Sequence, residues 1–155
     1  MDTHMLESQE ELPLTPQIEA FFDQLDRQGL FVEALALLRD HGNPNVPAYY
    51  FYLGYIQERL GWTEEAIQAM NRFRSREGCL ECNAITSGFM AHIYHNEGML
   101  MEAASEISAA LKIMPDDPLL KRTAKEIHDD LNNWFNGITA WLVLFLHKKM
   151  WLDNQ

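Results

Sequence analysis

The sequence predicts an all-α fold made of repeated helix-turn-helix units, and three observations carry that expectation. Apolar residues recur at spacings of three and four along most of the chain, and strict alternation never persists long enough for a strand. Gly29, Gly61 and Gly98 each close a helical stretch, 32 and 37 residues apart, a period that belongs to stacked helical repeats. Five residues after each glycine stands an alanine: Ala34, Ala66 and Ala103. Glycine suits the tight turn between helices, and alanine suits a crossing too close for a larger side chain.

Each element follows in order. Residues 1–14 are an acidic tail expected to be flexible, because no sustained apolar period runs through MDTHMLESQEEL. Thr15-Pro16 reads as an N-cap followed by proline at the first helical position. Ile18, Phe21, Phe22 and Leu25 put one apolar face on the first helix, which Gly29 ends. The stretch LFVEALALL, residues 30–38, is a second helix closed by Gly42 and the turn-rich NPNVP. A third helix runs from Pro47 to Leu60. Thr63 is expected to cap a fourth, with Ala66, Ile67, Met70 and Phe73 on its inner face and Glu64 and Glu65 in its positive first turn. A fifth spans about residues 83–96, and a sixth about 100–113, ending before Pro115.

From Pro118 the pattern departs from the repeats. Leu120, Ala124, Ile127, Leu131 and Trp134 stripe a capping helix over 118–136, and Asn136-Gly137 is expected to interrupt it. An apolar C-terminal helix within 137–155 follows, with ITAWLVLFL apolar on every side. Nine residues span about 14 Å as a helix, half a bilayer's hydrocarbon core, so the run is too short to cross. A helix apolar all round must nevertheless be covered. Trp141, Leu142, Phe145 and Leu146 are therefore expected to associate with protein, a homodimer being the simplest form. A membrane interface ranks second, because only Lys148 and Lys149 adjoin the run.

Composition excludes several functional classes. The net charge is −11, and residues 118–155 hold only four of the 23 acidic side chains. A surface this acidic repels phosphate backbones, so nucleic acid is not an expected partner, and a basic, apolar protein segment suits it better. At 155 residues and 47% hydrophobic content the chain is expected to bury its own core as one domain. Two cysteines make no disulfide framework, and the first thirty residues show no apolar stretch behind a basic start. A cytoplasmic location is the resulting expectation. There is no G-x-S-x-G, H-E-x-x-H or glycine-rich phosphate loop, so neither an enzyme nor a catalytic residue is expected.

The stretch GCLECNAITSGFMAHIYHNEG, residues 78–98, raises the one chemical question. Cys79, Cys82, His92 and His95 offer two thiolates and two imidazoles, a donor set zinc accepts. Nine residues separate the two pairs, where a zinc finger has about twelve, and H-x-x-H is tighter than the usual spacing. Redox work places C-x-x-C at a helix N-terminus, whereas here the helix is expected to begin only near Asn83. The remaining reading is a loop pair packing as small apolar side chains. No metal and no cofactor is expected.

Together these residues resemble the tetratricopeptide repeats. Tyr50-x-x-Leu53-Gly54, then Gly61, Ala66 and Met70, is similar to the family pattern aromatic-x-x-L-G, G, A-x-x-x-F. Met90-Ala91, Tyr94, Gly98, Ala103, Ile107, Ala110 and Pro115 repeat it at the family's spacings. The first unit follows through Ile18, Phe21, Phe22, Leu25, Gly29, Ala34 and Leu38, with Phe22 where a small residue is usual. The resemblance covers residues 15–117 as units 15–46, 47–83 and 84–117, the surplus length of the middle unit falling around residues 78–82. It implies three repeats forming a short right-handed solenoid, closed by the capping helix.

The resemblance also implies a concave groove. Its first-helix positions map to Glu19, Asp23, Asp26 and Arg27 in unit one, and to Phe51, Tyr55, Glu58 and Arg59 in unit two. In unit three they map to Ile85, His92, His95 and Asn96. The basic-asparagine clamp with which some members grip a C-terminal carboxylate is missing. The expected function is a non-enzymatic module binding a peptide or extended segment in this groove. Size, acidity and the extra C-terminal helix resemble the bacterial type III secretion chaperones that hold translocator proteins. The alternative is a membrane-associated scaffold or assembly factor tethered by the apolar C-terminal helix.

Overall fold

The computed structural model describes residues 14–76 and 78–152, with side chains to residue 144. Seven helices make up the described chain: α1 (Pro16–Arg27), α2 (Phe31–His41), α3 (Ala48–Arg59), α4 (Thr63–Arg76), α5 (Leu80–Asn96), α6 (Leu100–Ile113) and α7 (Pro118–Leu152). No strand occurs among the described residues. They gather into two compact units, one ending at Cys79 and one beginning at Leu80, where length alone suggested one domain. Residues 1–13 of the expected tail lie outside the described residues. Leu14, assigned to that tail, is instead 2% exposed and belongs to the first core.

The repeated glycines act as expected. Gly29, Gly61 and Gly98 have φ of 71°, 76° and 74°, and among the described residues no other lies in the left-handed region. Each turn closes with the same two hydrogen bonds. The amides of Gly29, Gly61 and Gly98 donate to the carbonyls of Asp26, Glu58 and His95. The amides of Leu30, Trp62 and Met99, one residue on, donate to Leu25, Gln57 and Tyr94. This is the paired Schellman pattern, which satisfies carbonyls the helix end would otherwise leave open. A β-carbon at a positive φ costs roughly 1–2 kcal/mol, which is why glycine stands at all three turns.

In the first unit α1 packs on α2, α2 on α3 and α3 on α4. Phe22, Leu25, Ala34, Leu35, Leu38 and Ile56 form its buried centre with Leu14. Ala66 is fully buried, and a Cβ on Gly54 would come within 2.9 Å of Met70 and 3.1 Å of the Ala66 carbonyl. The α3–α4 crossing therefore needs both small residues. Phe22 fills the corresponding place in α1 with an edge-on ring contact to Tyr52, centroids 5.1 Å apart. At the helix starts two expectations shift. Thr15 occupies the N-cap of α1 but its side chain makes no capping hydrogen bond. Thr63 is the first residue of α4 rather than its cap; in its place the Trp62 carbonyl accepts from the Ala66 amide.

In the second unit α5 packs on α6, and α7 lies against both. Ala84, Ala91, Ala103, Ile107, Ala110, Leu120 and Ile127 form the core. Gly88, which the repeat register left unassigned, lets α7 approach α5: a Cβ there would stand 2.5 Å from a Leu120 methyl. α5 begins at Leu80, three residues earlier than the sequence suggests, so the enlarged turn is short and Cys82 lies in the first helical turn. Glu81 in that turn complements the positive helix end. α7 also differs, running unbroken through Asn136-Gly137. A mid-helix glycine costs only about 1 kcal/mol relative to alanine, too little to stop a helix favoured on both sides.

Candidate functional site

In the first unit the first-helix faces of α1 and α3 are tied together by two phenols. Tyr52 donates its hydroxyl to Glu19 Oε1 at 2.6 Å, and Tyr55 donates to Asp26 Oδ1 at 2.9 Å. The register explains the pairing, since Glu19 and Asp26 are seven residues apart on one helix face and Tyr52 and Tyr55 are three apart on the other. Burial raises the pKa of both tyrosines, and the hydrogen bond each gives to a carboxylate adds to the rise by favouring the protonated phenol. Neither ionises near neutral pH. They are fixed donors on a half-buried aromatic wall.

The expected groove residues of this unit surround that wall. Asp23 and Arg27 are exposed on α1, and Glu58 is half-buried on α3. Arg59 is exposed and lays its guanidinium 5.0 Å from the centre of the Phe31 ring. Phe51 is half-buried, with its ring edge-on to buried Phe73 of α4 at 5.5 Å. Part of its apolar surface is thus absorbed by the unit's own packing. Repeat register alone places Tyr55 on this face without its partner, and does not point to Tyr52. The signal for both was the i, i+7 acid pair on α1, legible only once α1 and α3 are known to lie side by side.

In the second unit the expected residues cluster on the last two turns of α5. His92 is exposed and its Nε2 lies 3.1 Å from Asn96 Nδ2. His95 Nε2 lies 2.7 Å from Asp130 Oδ2 on α7, the two side chains being 18% and 53% exposed. His95 therefore ties α5 to α7 rather than standing open. Asp130 is 35 residues away in sequence, and no local pattern announces the pair. Ile85 is 51% exposed on the same helix.

The structure separates the cysteines from the histidines along α5. Cys79 immediately precedes α5 and Cys82 lies in its first turn, while His92 and His95 lie in its last two. Ten helical residues separate Cys82 from His92, about 15 Å along the axis, far beyond one coordination sphere. Among the described residues no group of three or more histidine, cysteine, aspartate or glutamate side chains is placed to hold a metal. The cysteines form no disulfide here. The premise that Cys79 lies several residues ahead of the helix is corrected by the early start of α5.

For the association segment, Trp141 and Leu142 are 62% and 44% exposed. The side chains of Phe145 and Leu146 lie outside the described residues. No helix among the described residues is long and apolar enough to cross a membrane.

No protein-family model matches the chain, and no curated protein matches it in sequence. In fold it is similar to SycD, the type III secretion translocator chaperone of Yersinia enterocolitica. The TM-score is 0.59 at 15% sequence identity, covering 76% of this chain and 87% of SycD. The class that the fold defines is an all-α protein of helical repeats.

Proposed function

We propose that the chain is a non-enzymatic protein-binding module of tetratricopeptide-repeat type. On this reading it holds a segment of a protein partner as a secretion chaperone does. The observation that carries the reading is the α1–α3 wall. Tyr52 and Tyr55 are locked to Glu19 and Asp26, so the surface is rigid before any partner arrives. A preorganised aromatic surface loses little side-chain entropy on binding, and tyrosine is among the residues that dominate interface energetics. Asp23 and Glu58 beside it favour a segment carrying basic as well as apolar side chains. In the second unit, His92 and Asn96 offer a smaller polar surface on α5. The fold shared with SycD agrees with this role.

The test is titration calorimetry with a synthetic segment of a partner recovered by co-purification from the native host. Tyr55→Ala is expected to weaken binding at least tenfold, about 1.4 kcal/mol. Tyr55→Phe, which keeps the ring and loses the Asp26 hydrogen bond, is expected to weaken it less. Unchanged affinity in Tyr55→Ala would move the site away from this wall.

A further inference from the structure

Gln57 of α3 is 7% exposed, and its side-chain oxygen Oε1 has no hydrogen-bond partner among the described residues. A buried acceptor left open is costly, so native chains pair nearly all of them. Gln57 lines a cleft of about 100 Å³ between α3 and α4. One water needs about 10–15 Å³, so the cleft has room for a chain of several heavy atoms.

The two ends of the cleft differ in charge. α3 and α4 run antiparallel about the Gly61 turn, with Gly54 set against Ala66 and Met70. Gln57 lies nearer that turn than Gly54 does, level with Glu65, which also lines the cleft. At the other end the Arg72 guanidinium lies 5.8 Å from the centre of the Tyr50 ring. Tyr50 and Gln57, like Glu65 and Arg72, are seven residues apart, about 10 Å along a helix. Salt largely screens Arg72 from a charge at the Gln57 end over that distance. Between the ends, Leu53 and Ala69 supply apolar walls.

We propose that this cleft is a subsite for a lysine side chain of a protein segment, its ammonium held by Gln57 Oε1 and Glu65.

Each feature of the cleft answers one part of that residue. An ammonium is donor only, which is what an open acceptor beside a carboxylate requires. The methylene stem lies along Leu53 and Ala69, as long cationic side chains cover apolar surface while keeping the head in polar surroundings. Arg72 at the far end then donates to a main-chain carbonyl of the segment. A carboxylate at the Gln57 end would meet repulsion from Glu65 and offer Oε1 no proton. A neutral amide would satisfy Oε1 and leave the Glu65 charge unanswered.

That the lysine belongs to a protein segment rests on the protein-binding reading above. The subsite itself does not, since no residue lining the cleft takes part in the hydrogen bonds of the α1–α3 wall.

The probe is Nα-acetyl-lysine methylamide, titrated into the full chain and followed in proton–nitrogen NMR at the Gln57 side-chain amide and the Ala69 backbone amide. Saturable shifts at millimolar concentration are expected. The norleucine analogue, which lacks the ammonium, is expected to bind about tenfold more weakly or less. Gln57→Met keeps the size and removes the acceptor. It is expected to weaken the probe about fivefold, read at Ala69, and to unfold at a higher urea concentration because no open acceptor stays buried. Should that variant misfold, Glu65→Gln on the exposed face of α4 decides, with an expected loss of about threefold. Arg72→Gln is expected to weaken the capped lysine and leave n-butylammonium unchanged, which separates a protein segment from a free amine. Tyr55→Ala, which disables the wall, is expected to bind the probe as wild type does, so either site can fail without the other. Four results would overturn the proposal. They are norleucine binding equal to lysine, preference for the capped glutamate, undiminished binding in a folded Gln57→Met or Glu65→Gln, and n-butylammonium binding as tightly as the capped lysine.

Discussion

The two units share a scaffold and differ in surface. Each is built on helix pairs closed by the same glycine turn, with a fully buried alanine five residues later. Yet the first-helix face of the first unit is a wall of tyrosines hydrogen-bonded to carboxylates of a neighbouring first helix. In the second unit the corresponding face of α5 is tied by His95 to Asp130 of α7, a helix outside the repeat pattern. The repeat therefore specifies how helices turn and cross, while the residues left outward decide what each face can do. Glycine and alanine recur because backbone geometry admits little else. Tyrosine, histidine and the acids do not recur, because no packing rule requires them there.

Substitutions can break or sharpen this contrast, and the largest effect is expected in the second unit. Ile127 is 1% exposed in the core that α7 shares with α5 and α6. Ile127→Ala is expected to cost about 2–5 kcal/mol in denaturant unfolding. Hydrogen exchange should show the loss in the second unit first, and equal weakening of the first would erase the distinction between them. Next in size, Ala66→Leu and Ala103→Leu overpack the same crossing, one in each unit. Each is expected to cost roughly 1–3 kcal/mol, and a much smaller cost in either would mean the crossings are not equivalent.

Smaller effects probe the surfaces. The His95–Asp130 contact is partly exposed, so His95→Ala is expected to cost no more than about 1 kcal/mol, read as faster exchange in α7. The tyrosine wall gives a pH signature instead. Because the pKa of Tyr52 is raised in the folded chain, its contribution is fully present below the ordinary tyrosine value near 10. It is lost as pH climbs from there toward the folded value, since the unfolded chain releases its proton first. Tyr52→Phe is expected to flatten the alkaline fall in stability seen in a urea series. An unaltered slope would mean the Glu19 contact does not hold the phenol protonated.

Much of the fold was legible in the sequence, for physical reasons. The three left-handed glycines, the buried alanines and Pro16 and Pro118 at helix starts each obey a local backbone rule. What was not legible rests on contacts distant in sequence or on summed helix propensity. Leu14 looked like tail because a lone apolar residue has no period. Asn136-Gly137 looked like a break because two residues weigh heavily in a local reading and lightly in a 35-residue helix. Leu80, Glu81 and Cys82 join α5 although cysteine, glycine and surplus length suggested a loop. Of the candidate site, Tyr55 and His95 were nameable by register, but their partners Asp26 and Asp130 follow only from which helices become neighbours. Gly88 was invisible for the same reason, as its role depends on Leu120 arriving from α7.

The central claim is that the α1–α3 wall of the first unit binds a basic, apolar protein segment. The most direct measurement is titration calorimetry of that segment against wild type and Asp23→Lys/Glu58→Lys at low and high salt. Neither acid is the acceptor in the Tyr52–Glu19 or the Tyr55–Asp26 hydrogen bond, so the fold is expected to survive their reversal. An affinity lower by about tenfold or more is expected in the variant, with a weaker salt dependence than wild type. Equal affinity and equal salt dependence in the two proteins would contradict it.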